Sequence, residues 1–380
     1  MSDTVVVSKG LIGVIADESR VSKVNVEESQ LYYRGYNIND LVEKSSFVEV
    51  AYLLLNEDLP TPNQLTEFVE AERSLRDLPD ELYAILADLP PQSHPMDVLR
   101  LGVNYLGLID DENILGDTSH ESNLRKARLL FSKAPTILAN GYRLMNGLGA
   151  VKPDPGLSYT ENFLSMMLGR QIEDPLQVKV FDASLILYAE HGFNASTFSA
   201  RITASTLSDY YSAISSAIGT LKGPLHGGAN EHVMTLLQEA GTKENAVPYI
   251  RQKLANKEKI MGFGHRLYRS GDSRVRTIKE LGLELADQVG VHKWHEIAQA
   301  MEDFMISEKK IYPNLDFPSA IAYYLLGIPI PLYTPIFVAS RLTGWTAHIL
   351  EQHDDNRLIR PGCQYVGHEK RPVPLLSERG

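Results

Sequence analysis

Between Pro175 and Pro224 no proline interrupts the chain, and 13 of the 28 residues from Asn194 to Leu221 are Ala, Ser or Gly. Small residues let helix backbones approach closely. The stretch therefore predicts one tightly packed helix, central to the core or at an interface, ended by the Lys222-Gly223-Pro224 breaker. Just upstream, Leu176–Glu190 places Val178, Phe181, Leu185 and Tyr188 on one helical face. Ser46-x-x-Glu49 and Ser158-x-x-Glu161 read as capping boxes ahead of apolar periodic runs. Thr334-Pro335 reads as a cap followed by a first-turn proline, opening a helix to about Gln352. Short strands are expected only in the first thirty or so residues, at Val5–Val7 and within Gly10–Asn25. The fold class is all-α with a minor N-terminal β element.

At 380 residues the chain is long enough for two domains, or one large one, without a disulfide or metal staple. Its 37 Lys and Arg against 48 Asp and Glu leave a net charge of −11, so nothing overall draws it to nucleic acid or to an anionic membrane. The single cysteine, Cys363, cannot form an intrachain disulfide or a Cys-rich zinc site. A reducing, cytoplasmic setting is expected. The N-terminus lacks the basic and apolar regions of a signal peptide. Near-apolar runs such as Ile328 to Ile336 fall far short of the ~20 residues of a membrane span.

Several chemistries lack their motif. Gly262-x-Gly264 has no third glycine and follows no strand, and there is neither a Walker A pattern nor a G-x-S-x-G elbow. His292-x-x-His295 reads as a solvated pair rather than a metal site, so no metal is expected. Charge is nevertheless uneven. Residues 257–276 hold six Lys and Arg against Glu258 and Asp272, a local +4 that leaves −15 elsewhere. Such a run is often a solvated face, but this one surrounds the turn Gly262-Phe263-Gly264-His265, where backbone and side chains can converge on an anion.

Scattered polar residues stand in glycine- or proline-marked contexts. His191 follows an apolar helix. His226 precedes a helix expected from about Ala229 to a Gly241 stop, where the dipole would favour a neutral, hydrogen-bonding imidazole. Asp316 lies between Pro313 and Pro318, and Arg341 stands alone in an apolar helix. Taken singly, these read equally as structural histidines, a turn residue and a snorkelling side chain.

Taken together they resemble one family. GPLHGGANE (223–231), IMGFGHRLYRSGDSR (260–274), PNLDFP (313–318), SRLTGW (340–345) and LIRP (358–361) are similar to segments of the citrate synthases, in that family's order. AEHGFNASTFSAR (189–201), Tyr33-Arg34-Gly35-Tyr36 and His94-Pro95-Met96-Asp97 extend the resemblance over nearly the whole chain. It implies that His226 hydrogen-bonds the thioester oxygen of acetyl-CoA, Asp316 removes a methyl proton, and His265 polarises the oxaloacetate carbonyl. It also implies oxaloacetate binding by His191 and carboxylate clamping by Arg274, Arg341 and Arg360, the last from the other subunit of a homodimer. Arg269 aligns with an arginine for CoA phosphate. Lys257, Lys259 and Arg266 join it on charge and proximity alone.

The chemistry suits these residue types. A thioester methyl group is a very weak acid, so a carboxylate can deprotonate it only if the developing oxyanion is stabilised at the same time. Permanently charged, planar arginines fit a dicarboxylate better than lysines do. The resemblance implies a large helical domain, residues 1–221 completed by 322–380, and a small domain, 222–321, hinged to close over the cleft. No cofactor is expected beyond the CoA thioester substrate. The alternative substrate is propionyl-CoA, giving 2-methylcitrate, since AEHGFNASTF and LDFPSAIAYYLLG look as much like that branch. A non-catalytic scaffold of the same fold is the reading from a different class.

Overall fold

The computed structural model describes residues 7–265, 267, 268 and 271–379. The architecture is helical. One antiparallel sheet joins Ser22–Asn25, Gln30–Tyr33 and Tyr36–Asn37 in that order, with Ser22 opposite Tyr33 and Tyr33 opposite Tyr36. Of the strands expected early in the chain, Ser22–Asn25 forms, Val7 lies outside any strand, and Val5 and Val6 fall outside the described residues.

The helix Tyr333–Asp354 is the hub, and residues Tyr333 to Leu350 are all buried. A helix apolar on every side must be wrapped by others. Here Phe47–Asn56, His120–Met145, Pro175–Tyr188, Ala195–Ser205 and Tyr210–Leu221 pack around it. Some of its polar side chains find partners in that wrapping. Ser340 Oγ donates to the Leu185 carbonyl at 2.5 Å, and Thr346 Oγ1 pairs with the Tyr210 hydroxyl at 2.7 Å. The helix begins one residue before Thr334, which is therefore not its cap; the Thr334 hydroxyl instead bonds the Glu231 carboxylate.

Both expected capping boxes close, at Ser46/Glu49 and Ser158/Glu161. The small-residue stretch differs from the expected single helix. It is two helices, Ala195–Ser205 and Tyr210–Leu221, broken where Leu207 turns left-handed at φ 60° and Asp209 caps the second one through the Ser212 amide. Ser199 Oγ meets Ser216 Oγ at 2.6 Å between them, an approach larger side chains would block.

A second group of helices, Ala229–Ala240, Lys243–Ala255, Ser273–Val289, Lys293–Phe304 and Asp316–Leu325, packs largely on itself. Two loops of this group are stitched together by main-chain bonds. Gly264 N donates to the Tyr312 carbonyl at 2.8 Å, and Asn314 N to the Gly262 carbonyl at 2.9 Å. Gly262 has φ 81°, and a Cβ there would lie 2.6 Å from Val233 and 2.9 Å from Phe317, so only glycine fits. His295, expected in solvent, is buried, whereas His292 is exposed with Nδ1 3.6 Å from Asp287. Among the described residues no three ligand-type side chains gather as a metal site. No described helix is long and apolar enough to cross a membrane.

Candidate active site

The stitched loops bring His265 and Asp316 to one place. Asp316 opens the helix Asp316–Leu325, and its amide donates to Asn314 Oδ1 at 3.1 Å. The Tyr188 hydroxyl donates to Asp316 Oδ1 at 2.7 Å. Burial pushes the Asp316 carboxyl up to about 6, with the Tyr188 bond and the Arg274 charge working against that rise. A carboxylate so poised is a competent base near neutral pH.

His265 Nδ1 accepts the amides of Leu267 and Tyr268 at 3.1 and 3.2 Å. An amide can only donate, so the proton sits on Nε2, which is left to donate elsewhere. Burial, then the Arg274 charge, brings the His265 pKa down to about 4, so the ring is neutral. At His226 three groups meet one ring nitrogen: Nε2 lies 2.8 Å from Ser196 Oγ, 3.2 Å from Asn194 Oδ1 and 3.3 Å from the Ser196 amide. Its pKa falls to about 3 because the ring is buried and Arg341 stands close. Burial and that charge keep it neutral.

His191 sits in the turn between Pro175–Tyr188 and Ala195–Ser205, 6 % exposed, with its ring edge-on to His265 at 4.9 Å between centroids. Its Nε2 is buried without a partner. Burial first, then Arg274, His265 and Arg341, hold its pKa well down.

Arg274 is gripped by Asp272, Nε to Oδ1 at 2.9 Å and Nη2 to Oδ2 at 2.7 Å. Burial would discharge both groups, but their mutual attraction outweighs it, so the carboxyl lies low and the guanidinium high. Arg341 does not snorkel. It is 1 % exposed, donates from Nε to the Tyr188 carbonyl at 2.7 Å and lies over the Phe337 ring at 4.7 Å. Burial lowers its pKa to about 10, still charged at neutral pH. Tyr188 and His226 flank the same ring, at centroid distances of 4.4 and 6.2 Å. The neutral imidazoles of His191, His226 and His265, one raised carboxyl and two buried guanidiniums thus form a single cluster.

The family model described as "Citrate synthase, C-terminal domain" matches residues 10–362. This chain belongs to the citrate synthase family. It is 48 % identical over 378 residues to 2-methylcitrate synthase 2 of Corynebacterium glutamicum, covering 98 % of each chain. It is 47 % identical over 367 residues to a citrate synthase of Mycolicibacterium smegmatis, covering 97 % of each. Among solved structures, the citrate synthase of Thermoplasma acidophilum, in a ternary complex with carboxymethyl coenzyme A and oxaloacetate, matches with a TM-score of 0.93 at 33 % identity. That match covers 99 % of this chain and all of the other. The protein is an acyl-transferring enzyme of the citrate synthase type.

The remaining residues singled out from the sequence are not among the described members of this cluster. Arg360 is exposed, beyond the end of the Tyr333–Asp354 helix, and the chain does not fold it into the cluster. Lys257 and Lys259 are exposed on the loop leading to Gly262. Arg266 and Arg269 lie outside the described residues. Sequence reasoning missed Tyr188, taken there only for a core residue, and Asp272. The latter carried a legible signal, since an Asp just ahead of a helix is a capping residue and it caps Ser273–Val289 here.

Proposed function

We propose that this citrate synthase family enzyme condenses acetyl-CoA with oxaloacetate and hydrolyses the resulting citryl thioester. Asp316 takes a proton from the thioester methyl group while the His226 imidazole N–H donates to the thioester oxygen, so the enolate charge never stands unsupported. The nucleophilic carbon then attacks the oxaloacetate ketone, whose oxygen accepts from His265 Nε2–H. His191, Arg274 and Arg341 hold the substrate carboxylates, the guanidiniums by paired hydrogen bonds. Water attack on the citryl thioester releases citrate and CoA. The observation that carries this reading is the gathering of two neutral histidines, His226 and His265, with a buried carboxyl that accepts from Tyr188 and is raised to about 6.

The site works as a homodimer in this proposal, with Arg360 supplied by the partner subunit. Its support is the exposure of Arg360 together with apolar side chains around it, Leu358 at 59 %, Tyr365 at 77 % and Val366 at 87 %. Two domains, 222–321 and the remainder, hinge to exclude water during condensation. Lys257, Lys259, Arg266 and Arg269 form the CoA phosphate site, on the strength of the local +4 charge in an acidic chain. The setting is the cytoplasm, which suits a lone exposed thiol, Cys363.

Propionyl-CoA is the second substrate proposed, because relatives of near-equal identity carry the names 2-methylcitrate synthase and citrate synthase. Thiol release from acetyl-CoA, measured with and without oxaloacetate, tests the main reading. Release that does not depend on oxaloacetate, or no release, overturns it.

A further inference from the structure

Behind the proposed oxaloacetate site lies a second pair of ionisable groups. Glu190 and His348 are both 0 % exposed, with Oε1 and Nε2 3.0 Å apart. Sealing two charges from water costs several kcal/mol per ion, and an apolar pair of equal volume serves stability as well. Their arrangement indicates a different use.

Glu190 immediately precedes His191, and its carboxylate folds back over the His191 peptide. Oε1 accepts the Gly192 amide, the Ser22 hydroxyl at 2.9 Å and His348 Nε2. On the other side, the Tyr33 hydroxyl donates to the Glu190 carbonyl at 2.9 Å and accepts the Glu190 amide at 3.1 Å. The main chain is therefore tied both before and after the imidazole. Gly344, one turn before His348 on the hub helix, has been stripped of a side chain to admit this. A Cβ there would overlap the Glu190 carboxylate and the Ala189 carbonyl.

The far nitrogen of His348 lies 3.6 Å from Glu351 Oε2, and Glu351 in turn pairs with Arg201 at 2.8 Å. Burial would discharge the His348 ring, but the two carboxylates outweigh it and raise its pKa. Burial would likewise protonate Glu190, yet the charges of His348 and Arg341 hold its carboxyl low. One carboxylate thus fastens the turn that presents His191 and faces the charge of Arg341.

We infer that Glu190, held by His348 and admitted by Gly344, is a positioning residue that sets His191 for the four-carbon keto diacid. This rests on the functional reading above. The experiment is steady-state kinetics by thiol release, varying oxaloacetate and acetyl-CoA separately. In Glu190→Gln and Gly344→Ala, the KM for oxaloacetate rises about tenfold or more, as expected for a group displaced by a fraction of an ångström. The KM for acetyl-CoA changes less than that for oxaloacetate, since this turn reaches the proposed thioester donor His226 only at one remove, through Ser196. Glu72→Gln serves as the matched control. It disturbs another buried ion pair, Arg76–Glu72 at 2.7 Å, and lowers only the melting temperature.

Should the buried variants fail to fold, Ser22→Ala decides. It removes one neutral donor from the Glu190 carboxylate and the 3.1 Å acceptor of the Gly192 amide, and a smaller rise of about threefold in the oxaloacetate KM is expected. Variants that lose stability as Glu72→Gln does while keeping the wild-type oxaloacetate KM overturn the inference alone. A wild-type enzyme that does not need oxaloacetate overturns the functional reading, and the inference with it.

Discussion

Tyr188 and Asp316, 128 residues apart in the chain, share a 2.7 Å hydrogen bond in which the phenol donates to the carboxylate. The same tyrosine passes its carbonyl to Arg341 and its ring to Phe337, beside His226. Proposed base and carboxylate clamp therefore both rest on the placement of this one residue, through its hydroxyl and its main-chain carbonyl, and the proposed oxyanion donor packs on the same phenylalanine.

That contact makes a kinetic prediction. Asp316 must be ionised to accept a proton, so kcat/KM falls on the acid side with an apparent pKa near 6. The phenol favours the ionised carboxylate; without it the pKa rises. In Tyr188→Phe the acid limb accordingly moves to higher pH. A limb that stays in place or moves lower counts against this assignment, and the pH profile of both proteins is the measurement.

Replacing Asp316 with Asn removes the base but keeps its shape and its capacity to accept from Tyr188. The rate of the chemical step falls by about 10²–10⁴. Stability moves the opposite way. The folded carboxyl titrates near 6 against 3.8 when unperturbed, so the native protein takes up a proton as the pH drops through that window. Its neutral form carries no penalty below about pH 4, and the penalty is complete above about pH 6, where it reaches at most about 3 kcal/mol. Asp316→Asn is thus more stable than wild type at pH 8, and the gain vanishes toward pH 4. Denaturant titrations at the two pH values check this.

Complementation tests the shared site. Arg360→Ala and His265→Ala are each inactive as homodimers. A mixture allowed to exchange subunits regains activity, because one site of each heterodimer keeps both residues. Heterodimers that form without recovery place Arg360 outside the partner's site.

The acyl pocket is predicted to be permissive. Propionyl-CoA adds one methylene, worth about 0.8 kcal/mol when simply buried. Steric exclusion of one methylene typically gives only ~10–200-fold discrimination. Measurable 2-methylcitrate forms, with acetyl-CoA still preferred in kcat/KM. No product at saturating propionyl-CoA refutes the breadth, and a reversed preference makes 2-methylcitrate synthesis the main reaction.

Much of this site was legible because its residues carry punctuation. His226 lies two residues past Gly-Pro, His265 follows Gly-x-Gly, and Asp316 lies between two prolines, so each marked a turn, while its role was legible only from the ordered resemblance to the citrate synthases. Tyr188 was not legible, since a tyrosine at helical spacing in an apolar face looks like any core residue until its hydroxyl's partner is known. The break at Leu207 was hidden for a different reason. A non-glycine residue there adopts φ 60°, and nothing local in Thr-Leu-Ser announces it. Glu190 and His348 are 158 positions apart, and only the folded hub helix brings them together.

The main-chain stitching of 262–264 to 312–314 bears on how such a site endures mutation. Gly264 N to Tyr312 O and Asn314 N to Gly262 O involve no side-chain atom. Substitution along either loop, proline and the left-handed glycines Gly262 and Gly264 apart, leaves both bonds in place. The spacing between His265 and Asp316 is therefore heritable through wide drift in the residues that flank them. Sequence change can retune the acyl pocket while the distance between proton donor and proton acceptor stays as inherited.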